Sequence, residues 1–118
     1  MFERLRDALR AALAAAAPPG DLRELAHQMR EALVDAKVAV QEMRAALTRT
    51  EAELNAERQR LADAERRGRL AAEIQDQETV QIAERFTGRH RERVGVLERK
   101  LAAQRDELAL AERDLVHA

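Results

Sequence analysis

The chain has 118 residues, of which 36% are charged and 2% are aromatic, with a formal net charge of -1 and no cysteine. At this length it forms one domain, and its composition is typical of long helices and coiled coils rather than of a compact globular core. The charge balance predicts neither nucleic-acid nor membrane binding, and the absence of cysteine excludes disulfides and thiolate metal sites.

Residues 1–17 predict a short amphipathic helix, because their apolar residues recur with the period of a helix and charged residues occupy the other face. One interpretation is a helix that lies in a membrane interface, with apolar side chains in the lipid and basic side chains near lipid phosphates. The candidates for this contact are Phe2, Leu5, Leu9, Leu13, Arg6 and Arg10. The alternative is that the same apolar face docks on the rest of the chain, which its high alanine content favours because alanine inserts weakly.

Residues 18–21 predict a break in the helix. Pro18 and Pro19 lack amide donors and are followed by Gly20, so helix is disfavoured here. Asp21 suits a helix N-cap, and Glu24 lies at the third helical position as in a capping box. A second helix is therefore expected to begin at residue 22.

Two heptad patterns follow, and they do not join. The first has Ala26, Leu33, Val40, Leu47, Leu54, Leu61 and Gly68 at position "a", and the second has Val80, Thr87, Val94, Leu101, Leu108 and Leu115 there. The spacing from Gly68 to Val80 is neither a whole number of heptads nor one with a three- or four-residue insertion, so a continuous coiled coil would move its apolar stripe off axis. A turn that reverses the chain avoids this. The predicted fold is all-α: a long antiparallel two-helix coiled-coil hairpin over residues 22–118, preceded by the short N-terminal amphipathic helix.

The hairpin is expected to contain helices at 22–72 and 78–116, joined by a tip at 73–77. Two registers fit the apolar stripe between the helices, which we call the seam. One places Leu54 opposite Leu97, and the other places Glu57 opposite Thr87. The first is preferred, because Asp76 then lies where it can cap the second helix.

Polar residues interrupt the seam at Thr50, Glu57, Thr87, His90 and Gln104. Such residues cost stability but fix register and the choice of partner. Further apolar columns lie outside the seam, at position "g" of the first helix and "c" of the second. These self-association candidates are Leu25, Ala32, Ala39, Ala46, Ile82, Val96, Ala103 and Leu110. A two-helix hairpin does not need them, so they predict contact with another copy of the chain or with the N-terminal helix.

Arginines from both helices lie near each other in either register. This basic band comprises Arg58, Arg60, Arg66, Arg67, Arg69, Arg85, Arg89, Arg91 and Arg93. A basic surface can meet anionic lipid, nucleic acid or an acidic segment of another copy. Acidic stretches elsewhere in the chain favour self-association, and nucleic acid is disfavoured because no aromatic stacking platform or glycine-rich loop accompanies the arginines.

The sequence indicates no catalytic residue, no metal and no cofactor. Glu24 and His27 have the Glu-x-x-His spacing of a helical di-iron site, but the further inward-facing glutamates of such a site are missing. No stretch is long and apolar enough to span a bilayer, and the start of the chain lacks the basic character of a signal peptide. We therefore expect a cytoplasmic protein that is not an enzyme.

Residues 1–17, Pro18-Pro19 and residues 21–33 resemble, in order and periodicity, the opening of the phage shock protein A family and its plastid relatives, the bacterial cousins of ESCRT-III, in which a short amphipathic helix and a proline-containing break precede a long hairpin. Residues 72–86 resemble the tip of that hairpin. The resemblance implies a membrane contact through Phe2, Leu5, Leu9 and Leu13, and assembly of many copies. Gly68 is displaced from the tip where that family has its glycine, and the further helices with which it builds rods and rings do not follow here. Membrane contact is therefore implied more strongly than polymerisation.

These observations predict a self-associating coiled-coil scaffold that is a homo-oligomer. Its N-terminal helix is expected to contact an anionic membrane surface, at the inner face of the membrane. The alternative is a soluble adaptor or regulator that binds a partner helix, with the N-terminal helix docked.

Overall fold

The computed structural model describes residues 2–14 and 19–117, without the side chains of residues 9, 12–14, 19 and 20. Throughout this part of the chain every regular element is a helix: α1 at Glu3–Ala14, α2 at Pro19–Glu73 and α3 at Gln77–Val116. The predicted all-α class is confirmed, and α2 and α3 form the predicted hairpin.

Helix α2 begins at Pro19 and not at Leu22, so the predicted break is wrong for residues 19–21. Proline is tolerated in the first turn because its missing amide hydrogen would have no partner there and its fixed φ suits a helix. Asp21 consequently lies within the first turn rather than at the N-cap, and its negative charge is favourable near the helix N-terminus. Residues 15–18, which belong to the predicted N-terminal helix and break, lie outside the described residues.

The turn between α2 and α3 is closed by backbone hydrogen bonds. The amide of Asp76 donates to the carbonyl of Ala71 at 2.9 Å, and the amide of Gln75 donates to that of Ala72 at 3.1 Å, which is the Schellman pattern of a helix end. Gln75 has a φ of 59°, in the left-handed region that glycine usually occupies. Asp76 then caps α3, since its Oδ1 accepts a hydrogen bond from the amide of Thr79 at 3.1 Å. The predicted cap is confirmed.

Gly68 shows which of the two predicted registers is used. A Cβ atom at Gly68 would lie 3.3 Å from the Cβ of Ala83. This contact belongs to the register that also places Leu54 opposite Leu97, and both leucines are buried in one cluster. The other register would place Gly68 opposite Asp76, which lies in the turn. The preferred register is confirmed.

The chain divides into two compact units. Unit 1 comprises Met1–Ala46 and Arg105–Ala118, and unit 2 comprises Leu47–Gln104. The core of unit 1 contains Phe2, Ala36, Val40 and Ala111, with Met43, Leu108 and Leu115 packed against them. The core of unit 2 contains Leu54, Val94, Leu97 and Leu101, with Leu47 and Leu61 packed against them. Apart from Phe2, which comes from the N-terminal segment, all of these residues occupy predicted seam positions.

We expect Gln75→Gly to stabilise the hairpin, because glycine adopts the left-handed conformation without the penalty of about 1 kcal/mol that a side chain brings. The free energy of unfolding, measured by urea titration, should rise by roughly that amount. Gln81→Gly is the matched control: it lies inside α3, is exposed, and should destabilise by about 1 kcal/mol. A loss of stability in Gln75→Gly would contradict the prediction.

Candidate interaction surfaces

The N-terminal residues predicted for membrane contact are packed into unit 1. Phe2 and Leu5 are only 7% and 6% exposed, and Phe2 belongs to the same cluster as Val40 and Ala111. Burying a large apolar side chain in this way is worth about 1.5–3 kcal/mol. Of the two predicted uses of the N-terminal helix, docking is the arrangement found here.

Two ion pairs also connect α1 to its neighbours. Arg4 Nη1 lies 3.0 Å from Asp35 Oδ2 on α2, and Arg6 Nη2 lies 3.6 Å from Asp114 Oδ2 on α3. Arg4, Asp35 and Arg6 have largely exposed side chains and Asp114 is half-buried, so each pair contributes at most about 1 kcal/mol. Apolar burial is therefore the main attraction. Of the remaining membrane-contact candidates, Arg10 is exposed, and the side chains of Leu9 and Leu13 lie outside the described residues.

The apolar "g" column of α2 is partly covered by the N-terminal segment. Ala32 is buried, and Leu25, Ala39 and Ala46 are half-buried. A small cavity of about 60 Å³ is lined by Phe2, Arg4, Leu5, Ala32, Asp35, Ala36 and Ala39. Of the two partners predicted for this column, the N-terminal helix is the one that lies against it.

The apolar "c" column of α3 is exposed. In unit 2, Ile82 and Val96 are 42% and 43% exposed, and in unit 1, Leu110 is 53% exposed. Ala103 is exposed as well. None of these side chains belongs to either core. Their apolar surface is available to a partner molecule.

A charged cluster lies in the seam of unit 2. The buried carboxylate of Glu57 accepts hydrogen bonds from Nδ1 of His90 and, at 2.9 Å, from Nη1 of Arg60. The hydrogen bond from His90 lowers the pKa of Glu57 more than burial raises it, and Arg60 lowers it further. A buried carboxylate is tolerated in an apolar seam when it is bonded and paired in this way.

Glu57 and His90 are each predicted to lie in the seam, but the bond between them is not predicted. In the confirmed register His90 lies opposite Leu61, and Glu57 lies one turn of α2 before Leu61, so the bond crosses the seam diagonally. An acidic and a basic seam residue offset by one helical turn are the sequence signal for such a pair.

Every arginine of the basic band is exposed. Arg60 pairs with Glu57, Arg66 with Asp63 at 3.3 Å, and Arg91 with Glu65 at 3.3 Å. Within the described part of the chain the other members form no ion pair: Arg58, Arg67, Arg69, Arg85, Arg89 and Arg93. The band therefore keeps an excess of positive charge.

A groove of about 470 Å³ lies between α2 and α3 in unit 2. This basic groove is lined by Arg60, Asp63, Ala64, Arg67, Thr79, Ile82, Ala83, Phe86 and His90. The ring of Phe86 stacks on that of His90 with centroids 6.3 Å apart, and the guanidinium of Arg89 lies 5.8 Å from the centroid of Phe86. Phe86 is a candidate contact residue that the sequence pattern alone does not single out. The sequence feature that indicates Phe86 is an aromatic residue one helical turn after Ile82.

Glu24 and His27, which share the spacing of a di-iron motif, have different neighbours. Glu24 accepts a hydrogen bond from Gln28 at 3.4 Å, whereas His27 lies 3.0 Å from Glu31. Among residues 2–14 and 19–117, no group of three or more histidine or acidic side chains is placed to hold a metal ion. No helix in the same residues combines the length and the apolar character needed to cross a membrane.

Comparisons of the chain with protein-family models, curated proteins and solved structures found no match.

We expect Glu57→Gln to flatten the dependence of stability on pH in acid. Because the pKa of Glu57 is lower in the folded chain than its ordinary value of 4.5, the ionised carboxylate stabilises the fold above that pH. This stabilisation is lost as the pH falls through the folded-state pKa. The free energy of urea unfolding should decrease more between about pH 5 and about pH 3 in the unaltered chain than in the variant.

The exposed Glu53 lies on the same helix, so Glu53→Gln is the matched control and should keep the original pH slope. Equal slopes for the unaltered chain and Glu57→Gln would contradict the assigned role of the carboxylate.

Proposed function

We propose that this chain is a non-enzymatic coiled-coil scaffold that associates with itself through the outward face of α3. The observation that supports this most directly is the exposure of Ile82, Val96 and Leu110. These aliphatic side chains recur on one face of the helix, and the hairpin does not bury them. Contact between copies would remove them from water at about 25 cal/mol per Å² of apolar surface.

In this proposal the N-terminal helix is a clasp, by which we mean that it packs against both α2 and α3 and holds them together in unit 1. The burial of Phe2 and Leu5 and the two ion pairs of Arg4 and Arg6 support that role. A membrane-anchoring role, at the inner face of the membrane in the cytoplasm, requires Phe2 and Leu5 to leave unit 1 first. That step costs the burial free energy of both side chains, which lipid must then replace.

Kinship with the phage shock protein A family remains part of the proposal. A short N-terminal helix followed by a helical hairpin is the order of elements found here, and it supports that kinship. The proposed self-association is also what the resemblance implies.

A soluble adaptor that binds a partner helix is the second candidate function. The docked N-terminal segment favours it, because Phe2 and Leu5 are buried in unit 1 and therefore not exposed for insertion into lipid. In that case the basic groove, which shares Ile82 with the "c" column, is the surface that receives the partner.

Light scattering of the full chain tests the scaffold proposal. We expect a mass above that of a single chain at concentrations of tens to hundreds of micromolar, and a shift to the single-chain mass in a variant with Ile82→Ser, Val96→Ser and Leu110→Ser. This triple change removes most of the apolar surface that drives the contact. Val34 and Val38 are exposed on α2, so Val34→Ser with Val38→Ser is the matched control and should keep the larger mass. A single-chain mass of the unaltered protein would contradict the proposal.

Co-sedimentation with anionic vesicles tests the role of the N-terminal helix. Because Phe2 and Leu5 are buried, we expect the intact chain to stay in the supernatant. Pelleting of the intact chain that disappears in Phe2→Glu with Leu5→Glu would establish the helix as an anchor and overturn the clasp role. The helical circular dichroism of this double variant shows whether it is still folded.

A further inference from the structure

The basic groove of unit 2 has an apolar floor. Ile82 and Phe86, both more than two-fifths exposed, lie beside Ala64 and Ala83 in its lining. Exposed aliphatic and aromatic side chains in a concave surface are the usual seat of an apolar group from a partner. An occupant of this groove should therefore carry at least one large apolar side chain.

The charges of the groove define the occupant further. Arg60 is engaged by Glu57, and Asp63 is engaged by Arg66. Arg67, by contrast, lines the groove and forms no ion pair among the described residues, and Arg89 lies over the exposed ring of Phe86. Two positive charges are left to be balanced from outside, so the apolar group should be accompanied by carboxylates.

Unit 1 presents such a surface. Leu110 is 53% exposed, and Asp106 and Glu107 lie one helical turn before it on α3, both exposed. Glu3 lines the same shallow cavity as Glu107 and Leu110. None of the three acidic residues forms an ion pair within the described part of the chain. We call Glu3, Asp106, Glu107 and Leu110 the acidic face.

We propose that the acidic face of one copy docks in the basic groove of a second copy, with Leu110 against Ile82 and Phe86 and the carboxylates beside Arg67 and Arg89. The inference rests on the proposed self-association and names the surfaces that carry it. Each surface combines exposed apolar side chains with charged side chains, and the charges of the two surfaces are opposite in sign, which is the complementarity expected of a specific contact.

The contact is small. A groove of this size seats only a few side chains, which places the interface in the weak class that buries less than about 1,200 Å². Opposite charges then contribute much of the association rate and specificity, and salt screens them over about 10 Å at 0.1 M. Association should therefore weaken as salt is added.

A charge-swap experiment tests the contact. One variant carries Arg67→Glu with Arg89→Glu, and the other carries Asp106→Lys with Glu107→Lys. All four positions are exposed, and unchanged helical circular dichroism verifies folding. By sedimentation equilibrium at low salt, each variant alone should associate at least about tenfold more weakly than the unaltered chain, because like charges now face each other. An equimolar mixture of the two should recover association, since every reversed charge meets its opposite.

Two controls change the net charge equally at exposed positions outside both surfaces. These are Arg23→Glu with Arg49→Glu, and Glu53→Lys with Glu98→Lys. Both should associate like the unaltered chain. Equal weakening in the controls would mean that only net charge matters and would overturn the inference.

The remaining outcomes separate this inference from the proposed function. If the unaltered chain associates but the mixture does not recover, the groove and the acidic face are not partners, while self-association stands. If the unaltered chain stays single up to about 1 mM, both proposals are wrong. Binding of anionic vesicles that Arg67→Glu with Arg89→Glu abolishes, without self-association, would assign the groove to lipid and would also overturn the inference.

Discussion

The reversal of the chain between α2 and α3 is the constraint on which the other features depend. The backbone bonds of Gln75 and Asp76 end one helix and begin the next within a few residues. With the turn fixed, each seam residue of α2 has a determined neighbour on α3, as the close approach of Gly68 to Ala83 shows. The charged cluster, the basic groove and both apolar cores follow from that register, because each is built from residues of both helices.

The seam of unit 2 combines stability with specificity. Thr50 and Glu57 are buried at seam positions, and the Oε1 atom of Gln104 is buried without a hydrogen-bond partner in the described residues. An unsatisfied buried polar atom costs about 1–3 kcal/mol. Glu57 avoids this cost because Arg60 on its own helix and His90 across the seam both donate hydrogen bonds to its carboxylate. A register shifted by one heptad would separate Glu57 from His90, so the pair disfavours slippage along an otherwise repetitive seam.

Local signals in the sequence predict the hairpin and its turn, and they leave two registers, of which the capping position of Asp76 favours the one found. Heptads report the seam directly, and Asp76 marks a helix start by a hydrogen bond within its own first turn. The start of α2 was predicted wrongly because Pro19 suits both a break and the first turn of a helix. The docking of α1 stays one of two predicted alternatives, since an amphipathic face suits both lipid and protein and the alanine content only favours protein. The bond between Glu57 and His90 and the groove around Phe86 were missed because both need the faces of two helices to be placed together.

The contact of Phe2 with Ala111 also has a consequence during synthesis. Helix α1 leaves the ribosome before α3, but part of its docking surface lies on the last stretch of α3. Because protein synthesis adds about 5–20 residues per second, the apolar face of α1 lacks this part of its docking surface for on the order of ten seconds. During this interval Phe2 and Leu5 are accessible to chaperones, to membranes and to neighbouring nascent chains. What binds α1 during this interval therefore depends on the other components of the cell as well as on the fold of the chain.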